Sequence, residues 1–189
     1  MKFPLFSLLI FITAGLLSLR AEEITSPDGR YTIHVSDQID NGLPCWRYEA
    51  TLTAGKTQIW NYGAITKALL FSWSPDSRHF LFAQSNYYRT MPLFLGSIGD
   101  AESFDLIGVD LSSVESAILA ACQRWSGGFA PVSYVDWKTI KWSSPTKCRT
   151  TYIKRGWGLD ATAEIEIDLS DDHPKAKVLS IKDHLAKDH

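Results

Sequence analysis

A proline turn followed by a strand-like segment occurs three times in this chain and constrains the fold more than any other feature. The three turns are SPDGR at 26–30, SPDSR at 74–78 and SSPTK at 143–147. Proline presets φ at the second turn position, aspartate hydrogen-bonds to nearby backbone, and glycine readily adopts positive φ. We therefore expect three repeats of one β unit, with Gly29 at positive φ.

Further strand patterns follow each turn. Residues 47–54, 104–111 and 163–169 read as strands, and the first and last of them alternate apolar with polar side chains. Alternation with a period of two is typical of half-buried antiparallel strands. A further apolar stretch follows each of these segments: residues 58–60 with 69–73, residues 132–142, and residues 176–181. The sequence therefore predicts a mainly β protein built from three antiparallel, propeller-like repeats.

Two of the repeats carry a family resemblance. SPDGRYTIHV at 26–35 and WSPDSRHFLF at 73–82 resemble the repeats of TolB-type and WD40-like β-propellers, whose blades carry a W-S-P-D-G-[KR] signature. The resemblance covers most of 24–181, but the third turn lacks the aspartate and glycine. Closed propellers use roughly four to eight blades, so three units imply an open arc, a β-sandwich-like arrangement, or closure by a partner chain. Such propellers serve as scaffolds, binding platforms and enzyme domains, so the resemblance does not specify a function.

One helix is predicted between the second and third turns. Ser112 and Glu115 form an S-x-x-E capping box, and Gly127-Gly128 would end the helix. Four apolar residues at helical spacing share one face: Val114, Ile118, Cys122 and Trp125. We expect an inserted helix at about 112–125 that covers a sheet edge or end.

The N-terminus predicts export. Lys2 precedes an uninterrupted run of apolar or small residues at 3–19, and Ala21 offers a small residue for cleavage. We expect a signal peptide at 1–21, a single β-repeat domain at 22–189, and a periplasmic or secreted location. The alternative is an uncleaved anchor, for which the run is at the short end of the roughly 17–25 residues that span a bilayer. A membrane association is expected only in that case.

Charge and cysteine content restrict the partners. Loss of Lys2 and Arg20 would take the formal net charge from −2 to −4, which leaves no basic excess for nucleic acid. Export favours one disulfide and one remaining thiol among Cys45, Cys122 and Cys148, and three buried thiols are the alternative. No zinc-type cysteine spacing is present, and we expect neither a metal nor a cofactor. We interpret the acidic cluster at 168–173 as a solvated turn, because it lacks the spacing of a calcium loop.

No nucleophile, base or phosphate-loop motif is present in the sequence. The leading hypothesis is therefore an exported, non-enzymatic binding module with an unknown protein or glycan partner. The first alternative is an envelope hydrolase acting on glycan or peptide, with acid–base carboxylates such as Asp28, Asp76 or Asp136. The second is a structural subunit that pairs with another chain through open sheet edges.

Two segments outside the repeats supply the candidate binding residues: Tyr87, Tyr88, Arg89, Trp125 and Phe129. The first three lie in a stretch, 84–103, that reads as a long connection, and long connections are often functional. Tyrosine and arginine are favoured at binding interfaces. The alternative is that residues 93–95 form another strand and that the tyrosines cap the core.

Export gives the first testable prediction. Protein recovered from the cell envelope or medium should begin near Glu22 on N-terminal sequencing, because the apolar run at 3–19 would be removed with the signal peptide. Recovery of intact Met1 on soluble cytoplasmic protein would contradict this prediction.

Overall fold

The computed structural model describes residues 22–38, 46–66, 68–85, 92–121, 132–156 and 159–184. Within these ranges the chain forms twelve strands in three four-stranded antiparallel sheets, together with one α-helix. No closed barrel or propeller is formed by these residues. The predicted fold class is therefore confirmed. The predicted signal peptide lies outside the described ranges.

Each sheet is a meander of four consecutive strands. The first sheet contains β1 (Glu22–Thr25), β2 (Tyr31–Gln38), β3 (Trp46–Ala54) and β4 (Thr57–Thr66). The second contains β5 (Ala68–Trp73), β6 (His79–Ser85), β7 (Leu93–Ile98) and β8 (Phe104–Gly108). The third contains β9 (Val132–Ser144), β10 (Lys147–Gly156), β11 (Leu159–Asp168) and β12 (Lys175–His184), and helix α1 (Ser112–Ala121) precedes it. In every sheet the proline turn joins the first strand to the second.

The second unit differs from the sequence prediction at one strand. Residues 93–98 form β7, which pairs with β6 and β8, so the alternative that 93–95 forms a strand is confirmed. The strand predicted at 104–111 ends at Gly108 and is the fourth of its sheet. The long connection expected at 84–103 is therefore wrong, and the connection between β6 and β7 spans only residues 86–92.

The second sheet is buried on both faces and lies between the other two. Phe80 and Phe82 of β6 belong to a core shared with the first sheet. Leu81 and Ala83, which alternate with them, belong to a second core shared with the third sheet and the helix. The middle sheet therefore connects two cores.

Tryptophans join the sheets by hydrogen bonds. The Trp73 indole N–H donates to the backbone oxygen of Ile24 in β1, at 3.2 Å. The Trp142 indole N–H donates to Ser72 Oγ in β5, at 3.0 Å. Each tryptophan that precedes a proline turn thus bonds to the first strand of the preceding sheet, which combines aromatic burial with a satisfied N–H.

The helix packs on the third sheet. Val114 and Ile118 are fully buried in the second core, as the sequence predicts. Ser113 Oγ donates to the backbone oxygen of Ala176, at 2.8 Å. The helix therefore helps to close the second core.

The predicted capping box is wrong. Ser112 lies in the first helical turn, and its N–H donates to Asp110 Oδ1 at 2.8 Å. The Glu115 carboxylate accepts hydrogen bonds from Tyr152 and Lys154. Because Lys154 is buried, its charge requires a nearby carboxylate, and this need outweighs a local cap. Cys122 and Trp125, the other predicted members of the buried helix face, lie outside the described residues.

The first two proline turns share one hydrogen-bond pattern. Gly29 has φ +75°, as predicted, and its N–H donates to the Ser26 oxygen at 2.9 Å. Ser77 occupies the corresponding position with φ +60°, although it is not glycine. The Ser77 hydroxyl accepts the Asp28 N–H at 3.0 Å, so this serine links the two turns.

Replacement of Gly29 by valine tests the turn. A side chain at Gly29 meets open space, so Gly29→Val should cost about 1–3 kcal/mol through its positive φ alone. Gly63→Val is the matched control, because Gly63 also faces open space, in β4, and does not have positive φ. Denaturant unfolding should show the loss only for Gly29→Val. Equal effects of the two substitutions would contradict the turn assignment.

Candidate ligand-binding groove

A groove of about 770 Å³ lies on the face of the third sheet that points away from the middle sheet. Its volume is within the range of ligand sites, about 300–1,000 Å³. Four lining residues are basic: Lys138, Lys141, Arg149 and Lys182. Six carry hydroxyl groups: Thr139, Ser143, Thr150, Thr151, Thr162 and Ser180. Trp142 and Glu164 complete the lining.

Strand alternation produces this polar face. In β11 the side chains of Ala161, Ala163, Ile165 and Ile167 are fully buried in the second core. Thr162 and Glu164 alternate with them and therefore point into the groove. The sheet is thus apolar towards the middle of the protein and polar towards solvent, as is usual for an antiparallel sheet with one packed face.

A bulge in β9 shapes one wall of the groove. Asp136 pairs with Thr151 and Lys141 pairs with Arg149, so residues 137–140 lie opposite a single residue of β10. The Thr139 hydroxyl donates to the Asp136 oxygen at 2.8 Å and accepts the Thr151 N–H at 2.9 Å. This side chain thus replaces part of the interrupted ladder, and bulges of this kind commonly redirect side chains near functional sites.

The bulge also fastens the groove to the middle sheet. The indole N–H of Trp137, the first residue of the bulge, donates to the backbone oxygen of Phe71 at 3.0 Å. Trp142, two strand positions beyond the bulge, bonds to Ser72 of β5, the strand that also contains Phe71. The wall of the groove is therefore held by two tryptophans.

The positive charge of the groove is only partly neutralised. Arg149 Nε donates to Glu166 Oε2 at 3.0 Å. The side chains of Lys138, Lys141 and Lys182 form no ion pair or hydrogen bond within the described part of the chain. Lys141 lies directly opposite Arg149 in the sheet, and like charges in that position are destabilising. An anion bound here would relieve that repulsion.

The carboxylates proposed for hydrolysis accept local hydrogen bonds, two of them in turns and one at the β9 bulge. Burial raises the pKa of Asp28, but the hydrogen bonds from Arg30 and Ser26 outweigh it and lower the pKa below its usual range. Asp76 holds the second turn in the same way, and its pKa is also lowered. Asp136 Oδ1 accepts the Lys138 N–H within the bulge, at 3.2 Å. The structure gives each of these three carboxylates a structural hydrogen bond.

The acidic cluster at 168–173 forms a turn after β11. The Ser170 hydroxyl and Lys147 ammonium bond to Asp168, and these bonds lower the pKa of Asp168 to about 2. Among the residues that the structure describes, no three histidine, cysteine, aspartate or glutamate side chains are placed to hold a metal ion. No helix in these ranges is both long and apolar enough to cross a membrane.

Cys148 is a free, buried thiol, and burial raises its pKa to about 12. A thiol with so high a pKa is almost entirely protonated at neutral pH and is a poor nucleophile. One disulfide was predicted among Cys148, Cys45 and Cys122. The last two of these cysteines lie outside the described residues.

The groove was not predicted, and the residues predicted to bind are not described. Tyr87, Tyr88, Arg89, Trp125 and Phe129 lie outside the described ranges and stay predictions. The polar residues of β11 could have been assigned to one sheet face from their alternation alone. The β9 bulge could not have been predicted, because residues 132–142 read as a continuous strand.

No protein-family model matches this chain, and no curated protein sequence matches it significantly. The resemblance to TolB-type and WD40-like repeats therefore stays a prediction.

The bulge gives a stability prediction. Thr139→Val removes the acceptor of the Thr151 N–H and should cost about 1–3 kcal/mol. Thr162→Val is the matched control, because the Thr162 hydroxyl faces the same groove without a hydrogen bond in the described residues, and it should change stability by less than about 0.5 kcal/mol. Denaturant midpoints measure both effects. Equal stability of the two variants would show that Thr139 does not hold the bulge.

Proposed function

We propose that this protein is an exported, non-enzymatic binding module of the periplasm or cell exterior, and that the groove on the third sheet holds its ligand. The observation that carries the proposal is the set of three lysines, Lys138, Lys141 and Lys182, which point into a groove without a partner in the described residues. Export is supported by the apolar run at 3–19 behind Lys2.

The chemistry of the groove supports binding rather than catalysis. Glu164 is the one carboxylate among the residues that line it, and the lining contains no histidine or cysteine. General acid–base hydrolysis of a glycoside commonly uses a pair of carboxylates about 5–10 Å apart. The groove offers cations and hydroxyl groups instead, which recognise an anionic, hydrogen-bonding ligand.

Pairing through sheet edges has less support. The third sheet ends at β9 on one side and β12 on the other, and each of these strands contains a register shift. The two strands also carry exposed lysines, including Lys138, Lys175 and Lys177. Bulges and edge lysines both discourage the addition of another strand.

The proposal is tested by ligand capture with the chain 22–189 as bait in envelope extract. Lys141→Glu should reduce capture about fivefold or more, because it replaces an attraction to the ligand by a repulsion. Lys56→Glu is the control, since Lys56 is an exposed lysine in the turn between β3 and β4, outside the groove. Thermal unfolding should be the same for both variants. Equal capture by the parent and both variants would exclude the groove as the binding site.

A further inference from the structure

We propose that the groove binds an acidic polysaccharide, a sugar polymer that carries carboxylate groups. This inference rests on the proposed binding function and assigns its ligand class. Four features of the groove support it: the point charges of its lysines, the presence of a carboxylate among the cations, the neutral hydroxyl groups, and the distance over which the cations are spread.

Three of the four cations that line the groove are lysines. Arg149 Nε bonds to Glu166, whereas Lys138, Lys141 and Lys182 have no partner in the described residues. Lysine is a point charge on a flexible stem, whereas arginine forms planar, two-pronged contacts with a carboxylate or a phosphate. Dispersed point charges of this kind suit anionic groups distributed along a chain.

Glu164 allows the groove to discriminate between a sugar ligand and a polyphosphate. Its carboxylate is exposed in the groove and has no ion pair or hydrogen bond within the described residues. A carboxylate accepts hydrogen bonds and cannot donate them. A polyphosphate at neutral pH offers chiefly acceptors and negative charge, so Glu164 would repel it. A sugar chain offers hydroxyl donors to Glu164 as well as carboxylates to the lysines.

The neutral side chains of the groove complement sugar hydroxyls. The hydroxyls of Thr162 and Ser180 line the groove without an internal hydrogen bond in the described ranges, so each can donate to and accept from a ligand. Of the residue types enriched at protein–protein interfaces, Trp142 and Arg149 line the groove, but each is bonded within the protein, to Ser72 and Glu166. Lysine, glutamate and serine, which also line it, are depleted at such interfaces. The lysines and hydroxyl groups of the lining therefore favour a glycan over a protein.

The spread of the lysines requires an extended ligand. Lys141 is on β9 in register with Arg149, while Lys182 is on β12 in register with Thr162, which pairs with Ile153. The two backbone positions are separated by three strand spacings and four residues along the strands. Strand geometry places them roughly 20 Å apart. A ligand that contacts both lysines is therefore extended, as a chain of several sugar units is.

Calorimetric titration of the chain 22–189 with defined polymers tests the ligand class. The probes are polygalacturonate and alginate, with fully methyl-esterified pectin as the uncharged control and inorganic polyphosphate as the sugar-free polyanion. Both polyuronates should bind more tightly than the other two probes, and their binding should weaken with added salt. Lys138→Gln, Lys141→Gln and Lys182→Gln should each weaken binding about 2–5-fold, and Lys56→Gln should not.

Glu164→Ala should change the binding affinity for the two kinds of polyanion in opposite directions. It should weaken polyuronate binding, because the lost hydrogen bonds to a charged acceptor outweigh the relief of exposed repulsion. The same substitution should strengthen polyphosphate binding, where only repulsion is removed. Polyphosphate binding as tight as both polyuronates, or stronger polyuronate binding by Glu164→Ala, would overturn the inference. If capture from envelope extract still depends on Lys141, the binding function survives that result; if it does not, both proposals fail.

Discussion

Burial of the middle sheet on both faces is the constraint on which the rest of the structure depends. In β6, consecutive residues enter different cores: Phe80 and Phe82 face the first sheet, and Leu81 faces the third. A sheet that is apolar on both sides requires a covering layer on each. The outer sheets supply these layers, and each then has one face left for solvent. Three sheets are sufficient because the outer sheets alternate apolar with polar residues and therefore leave a polar face towards solvent.

The repeat and its turns were predictable because they depend on local chemistry, whereas the strand at β7 was only an alternative to a long connection. The Ser26 and Ser74 turns follow from proline and aspartate preferences, and the alternation in β11 shows one buried face. β7 contains Gly96, which weakens a strand pattern and makes the segment look like a connection. The structure explains this glycine, because a Cβ at Gly96 would collide with the ring of Phe80 on the neighbouring strand. Such a close approach is a tertiary requirement that the local sequence does not reveal.

The helix and the groove show the same division between local and tertiary causes. The buried positions Val114 and Ile118 follow from helical spacing. The partner of Glu115 does not, because it is Lys154, a buried residue of β10 much later in the chain. The groove was missed for a related reason. Its polar residues alternate visibly in β11, but its wall depends on Thr139, whose hydroxyl substitutes for a ladder bond only after β9 and β10 have paired.

The third sheet is better suited than the first to present a ligand surface, although both have a solvent-facing side. On the first sheet, His34 contacts Glu23 at 3.3 Å and Thr53 at 3.2 Å, so these three side chains are already paired within the sheet. On the third, two tryptophans bond to β5, the edge strand of the middle sheet, and the helix braces the opposite face through Ser113. Groups held on a braced sheet lose little conformational entropy on binding. The groove lysines, which have no partner among the described residues, therefore lie on the outer face whose backbone is supported from behind, and this arrangement fits the proposed binding of an extended ligand without a large rearrangement.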